Sequence, residues 1–246
     1  QSQIESGKDF EIISYEKIIN CKLLKNLTLG IDPKLLTYDQ INKFFIKKNK
    51  VKFIDNNLID EIKHEKIKDN FPFFLLNKDI VGESHNSKIN KISKYLKKNK
   101  SDYLFVSAPE NVAWILNIRG GDSPNSPVPN SRLIISKSNE VLLICKIQKA
   151  KKLIKEKLIK KKELIHVDDF QKKINQLKGN NFIIDNKSCS IYFENIIKSK
   201  FRIKKREDPI YLLKAIKNKT EIRNMIHAHV LDGAALTKFI YWIKNV

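Results

Sequence analysis

Hydrophobic residues recur along the chain in short groups whose spacing alternates between that of strands and that of helices. Compact apolar runs predict strands at 27–31, 51–54, 103–107, 133–136, 141–145 and 181–185. Apolar residues at helical spacing predict helices at 12–19, 35–45, 87–100, 148–161, 168–177 and 188–199, and a turn or short helix at 109–116. Because strands and helices alternate, with one hairpin at 137–140, we expect an α/β fold in which helices cover a mixed sheet.

Two breaks in this pattern indicate domain boundaries. Asn70-Phe71-Pro72 marks the first, and 71–86 is predicted to be an extended linker whose apolar side chains lie against a domain surface. Glu207-Asp208-Pro209 marks the second. After it, Asn218 and Glu221 have the spacing of a capping box and begin a helix without a stop signal. We therefore expect three parts, at 1–80, 81–207 and 208–246.

The length of 246 residues leaves room for one large domain or two ordinary ones. The only methionine is Met225 and the chain opens with Gln1, so we expect it to be a piece of a longer protein. No run of about 18 uncharged apolar residues predicts a membrane span. Cys21, Cys145 and Cys189 lack metal-binding spacing and favour a reducing compartment, which indicates a cytoplasmic protein.

The net charge of +21 raises the question of a nucleic-acid partner. Only five of the 48 basic residues are arginine, whereas nucleic-acid readers rely on arginine for bidentate contacts. Lysine, asparagine and isoleucine, which have A/T-rich codons, are abundant together. We interpret the charge as lysines spread over solvated faces and expect no specific nucleic-acid partner. A weak, salt-sensitive attraction to polyanions follows from the charge in either case.

The segment 113–122 carries the least ordinary chemistry. A Trp-Ile-Leu run leads into two glycines, and three prolines follow within the next seven residues. Glycines permit close backbone approach and prolines stiffen a loop. One interpretation is a rigid loop that presents Asn117, Arg119 and Asp122 to a pocket or domain interface. The other is a structural loop in which Arg119 and Asp122 pair with each other.

Neither a metal site nor a catalytic constellation is predicted from the residues. His64, His85 and His166 are isolated, and His227 and His229 point about 200° apart on a predicted helix, so they cannot share one ion. Asp168-Asp169 fits a helix N-cap and first-turn acid better than a ligand pair. Glycine-rich phosphate loops and a serine nucleophile elbow are missing from the sequence. A cysteine–histidine pair stays open.

Several motifs follow one another in order across nearly the whole chain. They are Gly30-Ile31-Asp32-Pro33, Gly82-Glu83-Ser84, Trp114-Ile115-Leu116-Asn117-Ile118-Arg119-Gly120 with Asp122 and Pro127-Val128, Asp208-Pro209, Leu213-Lys214-Ala215-Ile216-Lys217-Asn218 with Glu221, and Asp232-Gly233-Ala234-Ala235-Leu236. In this order the motifs resemble the long, three-domain Xaa-Pro aminopeptidases of the creatinase/prolidase-like M24 metallopeptidase family. The resemblance implies part of one creatinase N-terminal-like domain, a whole second one, and the first helix of a pita-bread domain.

The resemblance also implies an activity for the complete protein. Members of this family hydrolyse the bond between an N-terminal residue and a following proline, usually as homodimers. Two Asp, one His and two Glu of the catalytic domain hold two divalent metals, usually manganese. None of these ligands can be assigned here, so the chain alone is expected to bind no metal tightly and to be inactive. Asn117, Arg119 and Asp122 become candidates for the substrate cleft or an interface.

A different class of function stays open beside this one. The chain could be a stand-alone creatinase-N-like module that binds polyanions or a protein partner. A reading frame that continues into Asp-, His- and Glu-rich sequence favours the peptidase, whereas a stop after Val246 favours the module.

Overall fold

The computed structural model describes residues 2–9, 12–14, 17, 25–45, 49–62, 71–123 and 125–245. The chain forms two compact units, of which the first comprises Gln1–Ile67 with Asn186–Ile196 and the second Lys68–Asp185 with Ile197–Val246. The predicted helix at 12–19 rests largely on residues outside the described set, and so do Cys21, His64, Asn70 and Pro124. The three predicted domains follow a different division of the chain and stay a prediction.

The strands of the described residues are β1 (Thr28–Ile31), β2 (Lys50–Phe53), β3 (Phe74–Leu75), β4 (Tyr103–Val106), β5 (Ile118–Arg119), β6 (Arg132–Ser136), β7 (Val141–Ile144), β8 (Leu164–Ile165), β9 (Asn181–Ile184) and β10 (Arg202–Lys205). The α-helices are α1 (Ser2–Glu5), α2 (Tyr38–Phe44), α3 (Leu58–Ile62), α4 (Lys78–Val81), α5 (His85–Lys98), α6 (Pro109–Leu116), α7 (Lys151–Lys155), α8 (Phe170–Gln176), α9 (Ile191–Lys198), α10 (Pro209–Ala215) and α11 (Lys219–Asn245). Short 3-10 turns lie at Ile147–Ala150, Lys161–Glu163 and Val167–Asp169.

The first unit is built on the parallel pair β1 and β2. Its helix α2 begins with a capping box, in which Thr37 Oγ1 accepts from the Gln40 amide at 3.2 Å and Gln40 Oε1 accepts from the Thr37 amide at 2.9 Å. Ile31, Ile41 and Ile191 form its small buried core.

The second unit is built on a six-stranded sheet with the order β10-β9-β4-β6-β7-β8. Strands β10, β9 and β4 run parallel to one another, and β8 runs parallel to β7. Strand β6 is antiparallel to both of its neighbours. The sheet is therefore mixed, as predicted.

Helices cover both faces of this sheet. Successive residues of a strand point to opposite sides, so alternate residues of β4 pack against different helices. Leu104 and Val106 of β4 belong to the core that contains Ile92 of α5 and Ile115 of α6. Between them, Phe105 lies on the other face, where its ring centroid is 5.5 Å from that of Phe170 in α8. This arrangement confirms the predicted fold class.

Most predicted elements are present with small shifts of their ends. The confirmed predictions are the strands at 27–31, 51–54, 103–107, 133–136, 141–145 and 181–185, and the helices at 35–45, 87–100, 109–116, 168–177 and 188–199. The hairpin at 137–140 is also present, joining β6 to β7.

One predicted element is wrong, and a second is wrong in its conformation but not in its packing against a domain. The helix predicted at 148–161 is a 3-10 turn followed by the five-residue α7, and the chain leaves it at Lys157 with a φ of +59°. The linker predicted at 71–86 is not a plain extended segment. It contains β3 and α4, and Phe73 is completely buried in the core of the second unit.

Asp169 lies at the N-terminus of helix α8, at the N-cap, as predicted for Asp168-Asp169, but it does not cap the helix by a hydrogen bond. His166 Nδ1 instead accepts from the Asp168 amide at 3.4 Å, at the start of the preceding 3-10 turn. Among the helices of the described residues, none combines the length and apolarity needed to cross a bilayer.

Candidate functional site

The loop singled out in the sequence begins where α6 ends. Pro109 occupies the first turn of α6, where its missing amide proton does no harm. Asn117 ends the helix with a φ of +56°, a left-handed conformation that asparagine tolerates better than most residues. The chain then enters β5, which pairs with β3 in an antiparallel ladder. The loop is thus held by a helix end on one side and by a strand pair on the other.

Asn117 is buried and faces inward. Its Oδ1 accepts a hydrogen bond from Lys88 Nζ at 2.6 Å, and its Nδ2 donates to the Glu83 carbonyl at 2.9 Å. Lys88 Nζ also donates to the Trp114 carbonyl at 2.9 Å and lies 4.0 Å from the centre of the Trp114 ring. Asn117 therefore joins α5 to the end of α6.

Lys88 is a buried cation that the sequence analysis missed. Burial lowers its pKa to about 8, against the opposing effect of Glu221 and Glu83. A signal for it exists in the sequence, since Lys88 occupies a helical position in line with the apolar Ile92 and Leu96. A lysine on the apolar face of a helix predicts a buried ammonium group with specific partners.

Asp122 also has a structural partner. Its carboxylate forms an ion pair with Lys149, and both side chains are almost fully buried. Its Oδ2 accepts from the Asn130 amide at 2.5 Å, which closes the proline-containing loop. Among the described contacts, the interpretation that Arg119 pairs with Asp122 is therefore wrong, because Lys149 is the partner.

The two glycines of the loop allow the close approach that the sequence predicted. A Cβ atom on Gly120 would lie 2.8 Å from Pro129 Cα, which is closer than real Cβ contacts permit. A Cβ atom on Gly121 would lie 3.0 Å from Phe71 Cγ. The backbone of the loop is packed directly against its neighbours.

Arg119 differs from Asn117 and Asp122 because its half-buried side chain lines a cavity of about 490 Å³. Its Nη1 donates to the Ile118 carbonyl at 2.8 Å and to the Ala113 carbonyl at 3.4 Å. Burial lowers the pKa of its guanidinium. Of the three predicted site residues, only Arg119 lines this cavity, and the structure does not gather the three into one constellation.

The cavity lies in the second unit and brings together residues that are far apart in sequence. Glu110 and Trp114 come from α6, Lys214 from α10 and Glu221 from α11. Trp114 Nε1 donates to Glu221 Oε1 at 3.3 Å, which links α6 to the start of α11. The sequence indicates the α6 loop and the α11 cap separately, but it contains no signal that the two lie side by side.

The described residues do not fit a metal centre. They contain no group of three or more His, Cys, Asp or Glu side chains that could hold an ion. His227 and His229 are exposed on α11, and His229 Nδ1 lies 2.8 Å from the Met225 carbonyl oxygen. No step of a metal-dependent reaction can be derived from these side chains.

The two cysteines that the structure describes do not support cysteine chemistry either. Cys145 and Cys189 are both buried. Burial, reinforced by Asp122 and opposed by Lys149, raises the pKa of the Cys145 thiol to about 12. Because the thiolate is the reactive form, the burial of Cys145 argues against a nucleophilic role.

Comparisons with known proteins agree on the relatives of this chain. Residues 64–221 match the family described as the Creatinase/Prolidase N-terminal domain. Xaa-Pro aminopeptidase 1 of Dictyostelium discoideum is 32% identical over 94% of this chain and 39% of its own length. "Probable Xaa-Pro aminopeptidase P" of Laccaria bicolor is 28% identical over 91% of this chain and 37% of its own length.

A solved structure has the same fold. The crystal structure of X-prolyl aminopeptidase from Caenorhabditis elegans, described as a cytosolic enzyme with a di-nuclear active site, matches 97% of this chain and 40% of that one. The TM-score is 0.79 at 22% sequence identity. This chain spans about two fifths of the length of the relatives it matches. The family match covers more than half of the chain and the relatives confirm the resemblance seen in the motifs, so the chain belongs to the creatinase/prolidase N-terminal domain family.

Proposed function

We propose that this chain is the N-terminal, non-catalytic part of an Xaa-Pro aminopeptidase. The complete protein would hydrolyse the bond between the N-terminal residue of a peptide and a proline at the second position. The observation that carries the proposal is the coverage of the Dictyostelium relative, which aligns with 94% of this chain but with only 39% of its own length. A cytoplasmic, homodimeric enzyme fits the proposal.

The proposal gives each part of the chain a role. Residues 1–80 are the end of a first creatinase-N-like domain with its linker, and 81–207 are a second such domain. Residues 208–246 begin the pita-bread catalytic domain. The exposed apolar side chains along α11 support this, since a helix of that kind is stable when another domain covers it.

The metal chemistry is assigned to the rest of the complete protein. Two divalent ions, manganese in our proposal, would activate the water that attacks the scissile carbonyl. The described residues of this chain serve the cleft wall and the interface instead. Arg119 is the candidate that faces open space, whereas Asn117 and Asp122 hold the loop that carries it.

The test compares the complete reading frame with the 246-residue chain. Both are incubated with Mn²⁺ and a tripeptide that has proline at its second position, and release of the first amino acid is measured. We expect release by the complete protein, its loss on chelation and its return with Mn²⁺, and no release by the 246-residue chain. A frame that stops after Val246, or a complete protein that leaves the peptide intact with every divalent ion tried, overturns the proposal.

A variant separates the role of Arg119 from that of the loop. In the complete protein, Arg119→Gln should alter KM or the dimer dissociation constant, while Arg132→Gln should alter neither. If Arg119→Gln leaves activity and dimerisation unchanged, the cleft or interface role of this residue is wrong.

A further inference from the structure

We propose that the cavity beside Arg119 is a binding site for a carboxylate group that carries a short aliphatic body. This goes beyond the proposed function, because it assigns a ligand chemistry to the second unit itself. Its test also has no catalytic readout.

The Arg119 guanidinium is held by main-chain carbonyls. Its half-buried side chain directs Nη1 to two main-chain carbonyls, of Ile118 and Ala113. Among the contacts of the described residues, no carboxylate pairs with it. A cation removed from water is costly without an anionic partner, and the guanidinium fork matches the two oxygens of a carboxylate.

The two acids of the cavity do not fill this role. Glu221 accepts through Oε1 from Trp114 Nε1 at 3.3 Å and through Oε2 from the Asn218 amide at 2.9 Å. Glu110 Oε1 accepts from the Tyr211 hydroxyl at 3.2 Å. Both carboxylates accept from other donors, and none of the described contacts joins either of them to Arg119, so the remaining N–H groups of Arg119 can bind a ligand.

The lining of the cavity combines basic and apolar side chains. Lys214 and Lys217 add two cations, so bases outnumber acids in the wall. Lys214 Nζ donates to Asn111 Oδ1, and Lys217 Nζ donates to the Lys214 carbonyl. The two lysines therefore contribute positive charge, while Arg119 supplies the N–H donors for the ligand. The rest of the wall includes the apolar side chains of Ile80, Val128 and Met225. A volume of about 490 Å³ lies within the range of ligand pockets. Basic groups beside an apolar wall suit an aliphatic carboxylate better than inorganic phosphate or a polyanion.

Two sources could supply such a group. One is an acidic side chain from another part of the longer protein, and the other is the carboxylate of a free ligand such as a short peptide. The chemistry at Arg119 is the same in both cases.

The test uses the two tryptophans of the chain, Trp114 and Trp242. Trp114 lines the cavity, whereas Trp242 is exposed on α11. In a Trp242→Phe background, the one indole N–H signal in the NMR spectrum therefore reports on the cavity. The probe is 3-methylbutanoate, and its neutral isostere 3-methylbutanamide is the control, with ionic strength held constant by NaCl.

We expect a saturable shift of the indole signal with the carboxylate and none with the amide. Arg119→Gln should weaken binding roughly ten-fold or more, because a hydrogen bond to a charged group is lost. Arg132→Gln is the matched control, since Arg132 is also partly buried but bonds to Asn130 outside the cavity. The proposal is overturned if the amide shifts the indole signal as much as the carboxylate does, or if the cavity with Arg119 intact gives no saturable shift. Neither outcome depends on whether Arg119→Gln folds.

The same titration on the complete protein distinguishes the sources. If the probe binds the 246-residue chain but not the complete protein, the site is filled from within. If it binds both, or if the frame ends at Val246, the carboxylate comes from a free ligand. These outcomes do not depend on peptidase activity.

Discussion

Asp102 stands at the start of β4 and joins three segments by its carboxylate. Oδ1 accepts from Lys137 Nζ at 2.7 Å, and Oδ2 accepts from the amides of Asn180 and Asn181 at 2.8 Å and 3.0 Å. Burial opposes ionisation, but these donors prevail and lower the pKa of Asp102 to about 2. A single side chain thus ties the hairpin and the start of β9 to the central strand.

The lowered pKa predicts an acid-sensitive contribution to stability. Because the folded state favours the ionised form, the contribution is present above pH 4 and is lost as the pH falls from about 4 to about 2. Asp102→Asn should therefore reduce the free energy of unfolding at pH 7 by about 1 kcal/mol, after allowance for solvent screening. The difference from the unaltered chain should shrink towards pH 2.

Urea unfolding at pH 7, 4 and 2.5 measures this difference. Asp55→Asn, which changes an exposed acid, is the control and should have little effect at any pH. A difference between Asp102→Asn and the unaltered chain that stays constant from pH 7 to 2.5 would show that the charge of Asp102 is not what stabilises the fold.

Residue by residue, the sequence located the loop but not the direction of its side chains. Asn117, Arg119 and Asp122 have the same kind of polar chemistry, yet the left-handed turn at Asn117 sends its side chain towards Lys88. Lys149, the partner of Asp122, lies 27 positions further along the chain. Pairings of that kind depend on the packing of distant segments, which local spacing does not record.

At the scale of elements, side-chain hydrogen bonds hold the start of α11. Asn218 Oδ1 accepts from the amides of Thr220 and Glu221, and Glu221 Oε2 accepts from the Asn218 amide, which confirms the predicted capping box. Asn218 Nδ2 also donates to the Val81 carbonyl at 2.8 Å, at the end of α4. The cap therefore binds two helices at once.

Gly82 is required at this joint. It has a φ of +69°, and a Cβ atom there would lie 2.5 Å from Asn218 Oδ1 and 2.7 Å from Thr220 Cβ. Gly82→Ala should reduce the free energy of unfolding by about 2–3 kcal/mol, since backbone strain adds to the loss of the cap. It should also speed amide hydrogen exchange in the first turn of α11.

Gly233 offers a matched control within α11. Among the described residues, none places an atom within 4 Å of where a Cβ atom on Gly233 would stand. Gly233→Ala should therefore stabilise the helix by about 0.5–1 kcal/mol. Chemical denaturation of both variants, with hydrogen exchange by mass spectrometry, makes the comparison. If Gly82→Ala were as stable as the unaltered chain, the close packing of Gly82 against Asn218 and Thr220 would not matter for stability.

Elements with a strong apolar core were predictable, whereas short and marginal ones were not. β4, β7 and β9 are apolar runs and were recognised. β10 is an edge strand, Arg-Ile-Lys-Lys, whose lysines suit an exposed edge but hide the strand pattern. The helix predicted at 148–161 failed because alternating lysines and aliphatic residues fit a helical period without determining where a helix ends.

For the whole molecule, charge and exposed apolar surface act in opposite directions. The chain carries a net charge of +21. The second half of α11 exposes Leu236, Phe239, Ile240 and Ile243 along one face, each by about half. Apolar patches of this kind favour association, and like charge opposes it.

We therefore expect the isolated 246-residue chain to self-associate, and to do so more strongly as salt screens its charge. Sedimentation velocity at low and high NaCl over a range of protein concentrations measures this. The double variant Phe239→Glu, Ile243→Glu should stay monomeric. Leu35→Glu, which changes an exposed leucine of the first unit, should behave like the unaltered chain. Association that weakens with salt would mean that charged rather than apolar contacts drive it.

Alternation of strands and helices was enough to predict a mixed sheet between helices, but the order of its strands was beyond the sequence. The strand β9 inserts between β10 and β4, and β6 pairs on the opposite side of β4. Which strands become neighbours depends on how the connecting segments cross the sheet. Many different strand orders are compatible with the same alternation of strands and helices.

The capped joint at Gly82 and Asn218 also has a mechanical consequence. Helix α11 contains 27 residues, which at about 1.5 Å per residue makes a rod about 40 Å long. A tilt of about 10° at the capped end would carry the far end through about 7 Å, by simple geometry of the rod. The length of α11 thus amplifies any change of angle at its capped end. Because Gly82 packs against Asn218 and Thr220 at that end, the absence of a side chain at Gly82 bears on the position of residues about 40 Å away.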